Sequence, residues 1–148
     1  MNKPDALPEN LDFIVSDLNG IPRGKSIASR SLTETDTPHL AEAIFFQTIT
    51  GEYSPALTKF NANDGDLLMH PDWSTCHQTP WKPGSVSQVI CETKDNLGKP
   101  IAYDPRNVLK KVLREYDDLG LTAIVAPEVE LYLLRPVAKD DLSLQVAA

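Results

Sequence analysis

Leu11, Phe13 and Val15 alternate with Asp12, Ile14 and Ser16, and the run leads directly into Asn19-Gly20. No other feature restricts the fold as much. Period-two alternation sends successive side chains to opposite faces of a strand, so the apolar set must be buried and the other set need not be. Asn-Gly accepts the positive φ of a tight hairpin turn, and a second extended segment over 21–28 runs back from it. The chain therefore opens with a β-hairpin over 11–28. A hairpin alone is barely stable in water, so further strands or a helix must cover its apolar face.

The remaining sequence supplies candidates. Residues 29–38, rich in Thr, Ser and Asp, read as a loop. Thr37 can cap a short helix that starts at Pro38 and carries Leu40, Ala43 and Ile44 on one side. Between 50 and 66 the turn formers Gly51, Pro55, Asn61, Asn63, Asp64 and Gly65 predict a long surface loop, of the kind that is usually functional or mobile. A short strand over 67–69 is interrupted by Pro71, a clearer strand follows over 87–93, and residues 96–99 hold the turn after it. Asp104 as N-cap, Pro105 in the first turn and Gly120 as stop predict a helix over 106–119. Val108, Leu109, Val112, Leu113, Tyr116 and Leu119 fall on one stripe of it. Two strand-like runs follow, 121–126 and 129–134. Their apolar faces need a covering layer that the sequence after Leu134 does not offer, which reads as truncation. The fold class is thus α+β: residues 1–10 a flexible N-terminus, 11–98 a small α+β unit, and 99–148 the start of a second one.

Charge and composition exclude several function classes. The 148 residues carry a net charge of −7 with no Lys/Arg stripe, which argues against binding nucleic acid. No apolar run approaches the roughly 20 residues needed to span a bilayer. The first ten residues lack the apolar core of a signal peptide, so a cytoplasmic address is expected. Cys76 and Cys91 match neither a disulfide framework nor a zinc spacing and read as reduced thiols. His70 and His77 fit no ligand set, Trp73 and Trp81 read as packing residues, and single cations such as Arg23 and Lys82 carry little information. Neither a Gly-rich phosphate loop nor a serine elbow is present.

The sharpest chemical feature is Ala126-Pro127-Glu128-Val129-Glu130. On a strand, Glu128 and Glu130 share a face about 7 Å apart, and paired carboxylates are hard ligands suited to Mg²⁺ or Mn²⁺. The same spacing suits an edge strand whose solvated acidic face discourages aggregation.

Four segments, taken in order, resemble the glutamine synthetase family. The stretch from Asp17 to Lys25 resembles the opening hairpin of its N-terminal β-grasp domain. Gly65-Asp66-Leu67-Leu68-Met69-His70-Pro71-Asp72 resembles its S-D-hydrophobic-x-(Leu/Met)-x-P-D stretch. The Asp104-Pro105-Arg106-Asn107-Val108-Leu109-Lys110 segment is similar to the start of the first catalytic-domain helix, and Ala126 to Glu130 to the (G/A)-P-E-x-E strand. Each motif is weak alone; their shared order over 11–134 is what identifies the family. The resemblance implies a β-grasp domain over 11–98 and the truncated start of the catalytic domain over 99–148.

It also implies an activity: ATP-dependent formation of a γ-glutamyl amide from glutamate and an amine, through γ-glutamyl phosphate. Glu128 and Glu130 take the places of metal-binding glutamates for Mg²⁺ or Mn²⁺, with ATP as co-substrate and a homo-oligomeric ring as the assembly. Ammonia-using members carry an aspartate in a loop after the short helix. Here Gln47 stands in the Phe45-to-Tyr53 stretch where that acid is expected, and an amide cannot act as a base. The Q-T-x-T-G-(D/E) pattern resembles the γ-glutamylpolyamine (γ-glutamylputrescine) branch instead. It marks Gln47, Thr48 and Glu52 as candidate substrate-binding residues. Asp66 matches a second acidic position and is the candidate catalytic residue, acting in the neighbouring subunit. Two other functions stay open on sequence: an ammonia-using glutamine synthetase, and a non-catalytic β-grasp interaction module. The 148 residues alone are expected to be inactive.

Overall fold

The computed structural model describes residues 7–33, 37–55, 65–82 and 84–135. Its core is one mixed sheet. Strands β1 (Asn10–Ser16), β2 (Pro22–Ala28), β3 (His39–Ala41), β4 (Asp66–Pro71), β5 (His77–Gln78) and β6 (Val86–Lys94) precede the α-helix α1 (Pro105–Asp118), the one α-helix among the described residues. The strand order is β2-β1-β6-β4-β3, and β5 also pairs with β6. Strands β1 and β6 are parallel, with Ile14 opposite Ile90, and the other pairings among the described strands are antiparallel.

The hairpin forms as its alternation requires. Leu11, Phe13 and Val15 are buried with Val89 and Cys91 of β6, Leu67 and Met69 of β4, and Leu40 of β3. Phe45 and Phe46 cover this face from a 3-10 helix, Glu42–Phe46. Trp73 meets Phe13 edge-on at 6.3 Å, and Tyr103 meets Phe45 and Phe46 at 5.8 and 5.1 Å. Each buried aromatic of this kind stabilises by about 1.5–3 kcal/mol through area removed from water. Asp12 escapes the alternation because the Lys82 ammonium comes down onto its carboxylate. Gly24 is required by close approach: a Cβ there would lie 1.8 Å from the Phe13 carbonyl oxygen.

Several expectations are corrected. No helix begins at Pro38; residues 39–41 form β3, and the helical turn starts only at Glu42. Pairing with β4 decides this, since three residues gain ladder bonds that an isolated helical turn would lack. Strand β4 is not stopped by Pro71 but includes it, opposite Cys91. The Met69 N–H donates to the Pro38 carbonyl at 2.7 Å, so the nitrogens of alternate residues face β3. At Pro71 that strand has ended, and the missing N–H costs no ladder bond. Residues 56–64, the heart of the expected 50–66 loop, lie outside the described residues, as does most of the flexible N-terminus expected over 1–10. The strands expected over 121–126 and 129–134 are not formed: residues 121–133 belong to no strand.

Helix α1 starts as its cap predicts. The Asp104 Oδ1 accepts from the Arg106 N–H at 2.8 Å, and Gly120 at φ +69° ends the last turn. Polar bonds fasten it to the sheet. Asp104 Oδ2 accepts from the Thr93 N–H and hydroxyl at 2.8 and 2.7 Å, and Asn107 donates to the Thr93 and Ile101 carbonyls. Arg106 pairs with Asp72 at 2.6 Å and Lys110 with Glu92. The apolar stripe from Val108 to Leu119 is not buried in the described structure; no residue of α1 is. Nor is any helix among the described residues long and apolar enough to cross a membrane.

Candidate functional site

Strand directions gather the candidate residues at one end of the sheet. Strands β1, β6 and β3 point the same way, and β4 runs against them. The turn after β1, the turn after β6, the 3-10 helix after β3 and the start of β4 therefore share that end.

The turn after β1, Asp17 to Ile21, is wider than a two-residue hairpin because the Asp17 carboxylate organises it. Asp17 N–H donates to the Ile21 carbonyl at 3.0 Å, and Gly20 N–H, with φ +77° at Gly20, to the Asp17 carbonyl at 3.1 Å. Asp17 Oδ1 accepts from the Asn19 and Ile21 N–H groups at 2.8 and 2.9 Å, and Oδ2 from Arg23 Nε at 3.0 Å. Burial would raise this carboxyl's pKa. The hydrogen bonds from Ile21, Arg23 and Asn19, with the Arg23 charge, outweigh burial and hold it below its ordinary value.

Beside it lies the turn carrying Gln47, Thr48 and Glu52. Gln47 and Tyr53 form an antiparallel bridge. Thr48 N–H donates to the Glu52 carbonyl at 2.7 Å, and Ser54 N–H to the Phe46 carbonyl at 2.7 Å. The Thr48 and Thr50 hydroxyls are 2.9 Å apart. The Asn19 amide donates across to the Gln47 carbonyl at 2.9 Å, joining the two turns. A cavity of about 500 Å³ opens here, lined by Leu18, Asn19, Phe45, Gln47, Thr48 and Tyr103 among others. Tyr103 donates its hydroxyl to Glu42; burial first, then this carboxylate, push its pKa well up.

Of the predicted residues, the structure brings Gln47, Thr48 and Glu52 into one turn. Asp66 is at the same end of the sheet but does not line that cavity. It starts β4, two strands from β1 and so about 10 Å away laterally. Its exposed carboxylate lies 3.7 Å from His39 Nδ1. Glu128 and Glu130 sit in the segment after α1 that forms no strand among the described residues, both exposed. They are hard oxygen donors of the right class for Mg²⁺ or Mn²⁺, but among the described residues no third His, Cys, Asp or Glu joins them. His70 faces Glu92 across β4 and β6; burial, then the Lys94 charge, lower its pKa against the pull of Glu92. Sequence reasoning missed the Asn19–Gln47 link and the part of Tyr103. An aromatic just before a helix cap gives no local signal of what it packs on.

Residues 102–147 match the glutamine synthetase catalytic domain. Glutamine synthetase of Pyrococcus abyssi is 31% identical over 128 residues, which is 86% of this chain and 26% of the relative. The enzyme of Methanococcus maripaludis is 41% identical over 73 residues, 47% of this chain and 16% of the relative. The chain is of the glutamine synthetase family. Among solved structures, a GmaS–ADP complex is similar at a TM-score of 0.58 and 28% identity, over 75% of this chain and 23% of that one. A glutamine synthase homolog aligns at a TM-score of 0.65 over 80% of this chain and 29% of its own, and at 22% identity it shows the shared fold only. The chain thus spans about a sixth to just over a quarter of the length of these glutamine synthetase relatives.

Proposed function

We propose that this chain is the amino-terminal part of an ATP-dependent ligase that joins the γ-carboxylate of glutamate to an amine, a polyamine, through γ-glutamyl phosphate. In this reading residues 11–98 form a β-grasp domain and residues 99–148 begin the catalytic domain. The observation that carries it is the Gln47–Tyr53 turn, held against the Asp17–Ile21 turn over a cavity at the family's N-terminal sheet. An amide at Gln47 has no basic site for deprotonating ammonium. The cavity's Phe45, Phe46 and Leu18 suit the methylene chain of a longer amine.

ATP as co-substrate draws support from the ADP in the GmaS complex. Glu128 and Glu130 would hold Mg²⁺ or Mn²⁺ with ligands from elsewhere in the protein, a cation that screens phosphate oxygens during phosphoryl transfer. On this reading Asp66, exposed at the start of β4, serves the site of a neighbouring subunit in a homo-oligomeric ring. The 148-residue chain by itself is inactive on this reading, because two carboxylates do not complete octahedral magnesium coordination.

The test measures ADP release by the full-length enzyme with glutamate plus putrescine, and separately with ammonium. A higher kcat/KM for putrescine is expected; a higher value for ammonium overturns the amine assignment. Purified 148-residue chain should give no glutamyl amide with either.

A further inference from the structure

Two turns in this chain share one construction, and only one of them reaches outward. In Asp95-Asn96-Leu97-Gly98-Lys99, Asp95 N–H donates to the Lys99 carbonyl at 2.9 Å and Gly98 N–H to the Asp95 carbonyl at 2.9 Å. Asp95 Oδ1 accepts from the Leu97 and Lys99 N–H groups at 2.9 and 2.8 Å, and Gly98 has φ +80°. Every one of these bonds recurs in Asp17-Leu18-Asn19-Gly20-Ile21. Asp supplies the two-pronged acceptor and Gly the positive φ, and the third position contributes only its backbone N–H. Leu97 occupies that position at 94% exposure, so the turn itself places no demand on the side chain there.

The equivalent residue in the first turn is Asn19, and its side chain is engaged. Its Nδ2 donates to the Gln47 carbonyl at 2.9 Å. Gln47 ends the 3-10 helix and opens the next turn, so its carbonyl lies at the hinge between the two. The Asn19 backbone is fixed by the Asp17 carboxylate, which Arg23 anchors in turn. A rigid strap therefore runs from β2 through Asp17 and Asn19 to the main chain of the turn that bears Gln47, Thr48 and Glu52.

We propose that Asn19 is a positioning residue for the amine site, setting the Gln47–Tyr53 turn through the Gln47 carbonyl and thereby affecting amine binding without touching glutamate binding. The inference rests on the reading of that turn as the amine-handling element. The donor is what matters: an aspartate of the same shape offers no N–H and sets charge against a carbonyl oxygen, whereas glutamine keeps an amide on a longer arm.

The experiment compares Asn19→Leu, which copies Leu97, with Asn19→Asp and Asn19→Gln. Hydrogen exchange on the 148-residue chain reports the strap. Thr48 and Ser54 amides should exchange about five- to tenfold faster in the Leu and Asp variants, the effect of losing one hydrogen bond of ordinary strength. Amides of Ile21, Val15 and Val89 should be unchanged. Steady-state kinetics on the full-length enzyme report the consequence: KM for the amine rises about tenfold while KM for glutamate stays within a factor of two, and Asn19→Gln restores part of the loss. Unchanged Thr48 and Ser54 exchange overturns the strap. Faster exchange with an unmoved amine KM, or with both KM values raised together, overturns the positioning role. Failure of the amine reading itself shows separately, in the wild-type preference between putrescine and ammonium.

Discussion

Val89 and Cys91 in β6 are fully buried, whereas Ile124 and Val129, no less apolar, are 94% and 85% exposed. The difference is not one of composition. Strand β6 has β1 along one edge and β4 with β5 along the other, so its backbone groups are paired and its apolar face meets a covering layer. Residues 121–133 have neither among the described residues, and a segment with strand-like side chains forms no strand without a partner ladder. The two halves of the candidate chemistry therefore have different foundations. The Gln47 turn rests on a closed core and a polar strap, and the Glu128–Glu130 pair rests on nothing described in this chain.

Hydrogen exchange should show the largest contrast. Amides of Val15, Val89 and Cys91 are expected to exchange at least about a thousandfold more slowly than those of 121–133, since core strands open only with global unfolding. Slow exchange at Ile124 and Val125 would break the comparison. Mutation comes next. Phe13→Ala should cost about 3–5 kcal/mol by urea denaturation, against about 0.5 kcal/mol or less for Ile124→Ala; similar costs would mean the segment is packed.

Paired charge neutralisations sharpen the contrast further. Asp17→Asn weakens bonds to Arg23 and two turn amides and should cost about 1.5–3 kcal/mol, whereas Glu130→Gln should leave the urea midpoint where it is. The acid limb follows from the same group. Asp17, held low by hydrogen bonds that outweigh burial, and Asp12, held low against burial by Lys82 and Ser26, have folded pKa values below their unfolded ones. Their stabilisation is complete above the unfolded carboxylate value, about 3.9, and is lost as pH falls through the depressed folded values. Urea midpoints should therefore drop below about pH 4, less steeply in Asp17→Asn. An identical acid limb in that variant would remove Asp17 from the account. The smallest effect expected is that of magnesium: millimolar Mg²⁺ should shift the thermal midpoint of this chain by less than about 1 °C, and a larger rise would show a more complete site than two carboxylates.

What could be read in advance follows the range of the forces involved. The hairpin was legible from alternation and Asn-Gly, and α1 from Asp104, Pro105 and Gly120, because strand faces and helix caps depend on neighbours only a few residues away. The Gln47, Thr48 and Glu52 turn was legible as a candidate through family resemblance, not through its geometry. The short helix at Pro38 was misread because cap signals are local while β3 exists through pairing with β4. Pro71 was misread for the same reason, since only the pairing of β4 shows that its nitrogen faces the side on which β3 has already ended. The strands expected after α1 failed for want of a ladder, which no local pattern can supply.

By itself the sequence determined the alternation that buries Phe13, the cap that starts α1 and the family to which the chain belongs. Tertiary structure decided that Asn19 meets Gln47, that Gly24 tolerates no Cβ above the Phe13 carbonyl, and that Tyr103 closes over Phe45 and Phe46. The physical reason is distance along the chain. Periodicity and capping act within a few residues, whereas these contacts join segments 11 to 58 residues apart in sequence, and only a folded sheet brings their atoms within bonding reach.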